Sequence, residues 1–140
     1  MKPLTIRHMV LCESSAIDVD PGRRVSLFNL IEDAQVIAFP AIFPKLTAFA
    51  IVERSDTLLP ESLDASLSIM RPEGRGELLR HALTFDPGNR RIRVRFVLDG
   101  FPVMSPGTYV FALSVTDRDG GVAEAGATLD VTEVQPKATA

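Results

Sequence analysis

Apolar and polar residues alternate through most of this 140-residue chain, and this period of two limits the folds that are open to it. Successive side chains of a β-strand point to opposite faces, so a strand with one buried face shows this pattern. From Gly107 to Asp117 one face is wholly apolar, with Tyr109, Phe111, Leu113 and Val115. From Asn89 to Asp99 a second apolar face alternates with three arginines, Arg91, Arg93 and Arg95.

Further segments show the same alternation, or are apolar on both faces as covered central strands are. They are Leu4–Cys12, Val25–Ile31, Leu46–Val52, Leu63–Ile69, Leu79–Phe85 and Val122–Val131. Turns such as Asp86-Pro87-Gly88-Asn89 separate them, because proline and glycine supply the backbone angles of tight turns. Short strands at this spacing predict an all-β fold, a two-sheet β-sandwich of about eight strands with an immunoglobulin-like or related Greek-key topology.

Helical segments long enough to pack are not predicted. Ser14–Asp18 and Asp33–Ile37 each have room for a single helical turn. No internal linker divides the chain, so we predict one domain over residues 1–134. The end of the chain, residues 135–140, is small, polar and contains a proline, which predicts a flexible tail.

Charge and cysteine content exclude several classes of function. The net charge is −3, whereas nucleic-acid-binding domains and polybasic membrane anchors are strongly basic, so we expect neither partner. The single cysteine, Cys12, permits no intrachain disulfide and no cysteine-rich zinc site. Arg7 and His8 interrupt the apolar N-terminal stretch, so a signal peptide is not predicted. We therefore expect a cytoplasmic protein.

The segment from Val36 to Phe43 is unusually apolar for a part of the chain that contains a proline. Because Pro40 cannot donate to a central strand ladder, we interpret the segment as a loop or a sheet edge. It either covers one end of the protein's own core or contacts another chain, and both alternatives stay open. The candidate association surface consists of Ile37, Phe39, Ile42 and Phe43, and we expect a homo-oligomer, specifically a dimer.

The arginine row of Arg91, Arg93 and Arg95 is a second candidate surface, because guanidinium groups suit phosphate or carboxylate partners. The alternative is a solvated sheet face, or an edge strand protected by charge against aggregation.

Metal binding and catalysis have weaker support. The acidic pairs Asp18/Asp20 and Asp117/Asp119 could supply calcium ligands, but Asp also opens turns by bonding the backbone. His8 and His81 are the only histidines, and no spacing places a third metal ligand beside them. We expect no metal, no cofactor and no catalytic residue.

A set of features along the chain resembles an uncharacterised family of small bacterial β-sandwich proteins, a family of unknown function. These features are Val10-Leu11-Cys12-Glu13, Arg24-Val25-Ser26-Leu27-Phe28-Asn29-Leu30, Phe39-Pro40 with Phe43-Pro44 and Lys45-Leu46-Thr47, and Pro106-Gly107-Thr108-Tyr109-Val110-Phe111. The resemblance covers most of the chain and implies a bacterial β-sandwich, with no activity and no catalytic residue to carry over. The start of the last motif is also similar to strand beginnings in immunoglobulin-like domains.

The leading hypothesis is a non-enzymatic binding or scaffold module that acts through protein–protein association. The alternative is a small hydrolase or ligand-binding enzyme of the sandwich type that uses His8, His81 and loop carboxylates. A pocket that joins a histidine to a carboxylate would favour the enzyme.

Overall fold

The computed structural model describes residues 4–17, 25–55 and 59–134. Within these ranges the chain is all-β, as predicted, and contains no helix. Its strands are β1 (Leu4–Ile17), β2 (Val25–Leu30), β3 (Asp33–Val36), β4 (Ala41–Arg54), β5 (Glu61–Arg71), β6 (Gly74–Phe85), β7 (Arg91–Val103), β8 (Gly107–Thr116) and β9 (Val122–Glu133). Nothing in these ranges is a helix long and apolar enough to cross a membrane.

The strands form two sheets, which confirms the predicted β-sandwich. The first sheet has the order β2-β1-β4-β7 and the second has the order β3-β9-β8-β5-β6. All pairings are antiparallel except that of β3 with β9, which is parallel. In this arrangement β7 is an outer strand of the first sheet and β6 is an outer strand of the second.

The alternating apolar faces meet between the two sheets. The core comprises side chains from β1, β4 and β7 on one side and from β5, β6, β8 and β9 on the other. Its largest fully buried members include Tyr109, Phe85, Phe96 and Phe111. Long period-two strands therefore form where the sequence predicts them, because each can bury one complete face.

The described residues of the first segment with room for a helical turn, and all but the last residue of the second, are strands instead. Ser14–Ile17 continues β1 and pairs with Val25–Phe28 of β2. Asp33–Val36 forms β3, because its backbone extends the edge of the second sheet beside Asp130–Glu133. The Ile31 amide donates to the Leu11 carbonyl at 2.8 Å, and the Asp130 amide donates to the Glu32 carbonyl at 2.9 Å. The chain thus passes from the first sheet to the second within two residues.

A buried arginine fixes the end of the sandwich where β4 ends. The Arg54 guanidinium donates to the carbonyl oxygens of Asn89, Leu59 and Asp86 at 2.9, 2.6 and 3.0 Å. It also lies over the Phe85 ring, 4.5 Å from the centroid. Arg54 therefore ties the turn before β7 to the segment before β5, a structural role that the sequence did not indicate.

Candidate functional site

The candidate association surface divides into an inward and an outward half. Phe39 and Phe43 are half-buried and pack against the core. Ile37 and Ile42 point outward, with 71% and 65% of their surface exposed. The segment therefore both covers one end of the core and presents apolar side chains to solvent.

Local pairing explains this division. Ala41 to Phe43 begin β4 and pair with Val103 to Phe101 of β7, whereas the pairing of β4 with β1 extends only to Thr47. Pro44 therefore lies where β4 has a partner on one side only, which a residue without an amide hydrogen tolerates. Residues 37–40 carry the chain from β3 to β4.

Further apolar residues lie around the outward half. Ile42 faces Pro102 across the strand pair, and Met104, just beyond β7, is 57% exposed. On the other side, the Val134 amide donates to the Val36 carbonyl at 2.8 Å, which brings exposed Val134 beside the residue before Ile37. We call Ile37, Ile42, Met104 and Val134 the apolar end.

The arginine row lies on the outward face of the first sheet, as the alternation predicts. Arg91, Arg93 and Arg95 are exposed, while Ile92, Val94 and Phe96 point inward. Glu53 of β4 lies directly opposite Arg91. Its carboxylate accepts from Arg91 Nε at 2.5 Å and contacts Arg7 Nε at 3.0 Å. One carboxylate therefore joins arginines from β1 and β7 across the strand between them.

The environment of Glu53 favours its charged form. The hydrogen bond from Arg91 lowers the pKa of the Glu53 carboxyl, and the positive charges of Arg7, Arg91 and Arg90 lower it further. Partial burial acts in the opposite direction but is outweighed. Glu53 is thus held as an anion and orients two guanidinium groups.

Arg93 and Arg95 complete this face. Arg7, Ile51 and Arg93 stand side by side across β1, β4 and β7. The Arg95 guanidinium reaches across β4 to the Ser15 carbonyl at 3.5 Å. The alternation in the sequence predicted the arginine row on β7. It did not predict that Arg7 and Glu53 lie beside this row, because that placement depends on the register of β1, β4 and β7.

The fold does not place either histidine beside an accessible thiol nucleophile, because Cys12, the only cysteine, is buried. His81 is on β6 of the second sheet, where its ring packs 5.0 Å from that of Phe96. His8 is exposed on β1 of the first sheet, at a bulge where its φ is 54°. Cys12 is fully buried, and this burial raises the pKa of its thiol. A neutral, enclosed thiol is not poised as a nucleophile.

Asp117 forms a turn. Its Oδ1 accepts from the amides of Asp119 and Gly121 at 2.9 and 2.7 Å. This is the turn-opening use of aspartate that was the alternative to calcium. The other acidic pair, Asp18/Asp20, lies outside the described residues. Over residues 4–17, 25–55 and 59–134, no three His, Cys, Asp or Glu side chains are grouped so as to hold a metal ion.

A groove of about 440 Å³ opens between β1 and β9. Its lining combines apolar residues such as Met9 and Leu30 with the carboxylates of Glu32, Asp33 and Asp130. Neither a histidine nor a cysteine lines it, so it does not unite the groups that the enzyme alternative requires.

Comparison with known proteins yields likenesses of shape alone. No family model and no curated protein matches the chain. Among solved structures, Spo0M, a sporulation control protein from Bacillus subtilis, is 10% identical with a TM-score of 0.44; the match covers 91% of this chain and 51% of that one. The N-terminal domain of PorA is 9% identical with a TM-score of 0.31, covering 89% of this chain and 98% of that domain. The chain thus spans about half the length of the Spo0M chain.

Proposed function

We propose that this chain is a non-enzymatic binding module that acts through protein–protein association, and that two copies associate through the apolar end. One observation carries the proposal: Ile37 and Ile42 are held outward while Phe39 and Phe43, their neighbours in sequence, are anchored against the core. The outward side chains are therefore presented by a backbone that is already fixed.

The energetics are adequate for a weak to moderate dimer. Full burial of an isoleucine or methionine side chain contributes about 1.5–3 kcal/mol. In a two-fold dimer each such side chain counts twice, because the same patch is used on both copies. Anchoring by Phe39 and Phe43 reduces the entropy lost when the contact forms, since the presenting segment is ordered beforehand.

The enzyme alternative lacks a supporting observation among the described residues. It requires a histidine beside a carboxylate or a thiol in an accessible pocket. His8 and His81 lie on different sheets, and Cys12 is buried. The binding module is therefore the better-supported function.

We also propose an immunoglobulin-like relationship, a bacterial source and a cytoplasmic location. An immunoglobulin-like relationship is supported by Tyr109, whose hydroxyl bonds back to the Ser105 carbonyl at 2.6 Å, a corner found in such sandwiches. A bacterial source is proposed on the resemblance alone, and a cytoplasmic location on the low cysteine content, since secreted domains commonly carry disulfides.

The experiment introduces aspartates into the outward half of the candidate association surface or into its inward half, and compares the effects on mass and on stability. The double variant Ile37→Asp/Ile42→Asp should reduce the mass in light scattering to that of a monomer while the thermal melt stays cooperative. Phe43→Asp should instead lower the melting temperature steeply, because it places a carboxylate against the core. Val122→Asp, an exposed apolar residue at the start of β9, is the matched control and should leave the mass unchanged. A double variant with wild-type mass would overturn the proposal.

A further inference from the structure

We propose that the free edge of β7 binds an extended acidic segment of another protein, whose alternate carboxylates face Arg91, Arg93 and Arg95. This surface is separate from the apolar end and goes beyond the association proposed above. The two proposals can therefore fail independently.

The geometry of an edge strand supports this occupant. Over residues 4–17, 25–55 and 59–134, β7 pairs with β4 alone, so its other edge is available to an added strand. Residues directly opposite one another in paired strands have Cβ atoms about 4.5–5.5 Å apart. An added strand would therefore place every second side chain beside one arginine of the row.

Spacing distinguishes an extended segment from a small anion. Arg91, Arg93 and Arg95 follow one another at every second residue, which separates neighbouring Cα atoms by about 6.4–6.8 Å along the strand. Carboxylates at alternate positions of an extended peptide have the same repeat. A single phosphate or sulfate ion cannot match a row of three.

Contacts on the β4 side of β7 hold two arginines of the row in place. Glu53 holds Arg91 through Nε, and Arg95 reaches the Ser15 carbonyl. Arg7, which shares Glu53 with Arg91, adds further positive charge on the same face. Since one carboxylate neutralises only part of this charge, the face attracts an acidic partner despite the net charge of −3.

The next outward residue of β7 after the arginine row indicates one more side chain of the partner strand. Val97, the next outward residue of β7, is 49% exposed. An antiparallel partner would therefore carry an apolar residue opposite Val97, followed at alternate positions by three acidic residues. Strand addition supplies backbone hydrogen bonds for affinity, and the alternate side chains supply specificity.

The test uses a fluorescently labelled peptide, Thr-Val-Thr-Glu-Thr-Glu-Thr-Glu-Thr, with binding followed by polarisation. A rearranged peptide of the same composition, Thr-Val-Glu-Glu-Glu-Thr-Thr-Thr-Thr, places at most two carboxylates on one face and is the matched control. Arg93→Ala/Arg95→Ala should weaken binding of the first peptide by about tenfold, the effect expected for loss of two exposed ion pairs. Arg118→Ala, which removes an exposed arginine from the β8–β9 turn, should leave binding unchanged.

Several results would overturn the proposal. Equal binding of both peptides would show that charge alone attracts them. Competition by sodium phosphate beyond that of sodium chloride at equal ionic strength would indicate a simple anion site. Unchanged binding when the peptide amides are N-methylated at alternate positions, in both registers, would exclude strand addition. Absence of binding by the first peptide would also contradict the proposal. Ile37→Asp/Ile42→Asp should not affect peptide binding, which keeps the two proposals distinguishable.

Discussion

The hydroxyl of Tyr109 donates a 2.6 Å hydrogen bond to the carbonyl oxygen of Ser105, four residues earlier in the chain. The Tyr109 ring is fully buried and lies edge-on to Phe101 of the opposite sheet. One side chain thus packs in the core and also fixes the corner that leads into β8.

Replacement of Tyr109 with Phe should therefore destabilise the fold although the ring is kept. Loss of the hydroxyl leaves the Ser105 carbonyl without this donor, which costs about 1–3 kcal/mol. The free energy of unfolding in urea measures the loss. Thr108→Val is the control, since its hydroxyl bond to Asp130 is exposed and should contribute less. Equal losses in the two variants would contradict the role of the corner.

Arg54→Met should be among the most destabilising substitutions of a charged residue. It removes the donor from three backbone carbonyls, and hydrogen bonds to charged groups contribute about 1.5–3 kcal/mol each. Arg54→Lys should recover little of this loss, because one ammonium group cannot reproduce the planar fork. Urea unfolding provides the measurement, with Arg118→Met as the exposed control. A near-neutral Arg54→Met would refute the structural role of this arginine.

The pH dependence of stability should report the contacts of Glu53. Its carboxyl pKa is lowered in the folded chain, first by the Arg91 hydrogen bond. A lowered folded-state pKa contributes stability that is complete above the unfolded value, about 4.3, and is lost as the pH falls through the folded value. The difference in stability between wild type and Glu53→Gln should therefore be constant near neutral pH and shrink in acid. A difference independent of pH would show that the charge of Glu53 is not involved.

The thiol of Cys12 should resist modification in the folded protein. It is buried, and burial raises its pKa, so little reactive thiolate is accessible. Labelling with a thiol reagent at mildly alkaline pH should be slow in buffer and rapid in urea, where the same chain serves as its own control. Rapid stoichiometric labelling of the folded chain would show that the thiol is accessible.

The period-two pattern was sufficient to predict the long strands, because the inward residues of β8 are buried from Tyr109 to Val115 and those of β7 are buried or half-buried from Ile92 to Leu98. It was insufficient for β3, since four residues with Ala34 and Val36 inward are too short a pattern to recognise. The geometry of the candidate sites could not be predicted in the same way, because it depends on contacts between residues far apart in the sequence. Nothing local distinguishes Phe39 and Phe43 from Ile37 and Ile42, because the crossing from β3 to β4 decides which of them face the core. Arg7 joins Glu53 only through the register of β1 on β4.

The native mass of the wild-type chain tests the central claim most directly. Light scattering on a size-exclusion column, repeated over a series of concentrations up to tens of micromolar, gives this mass. Association through the apolar end predicts a species of twice the 15.3 kDa chain mass that dissociates on dilution. A strictly monomeric protein of 15.3 kDa over the whole series would contradict the account.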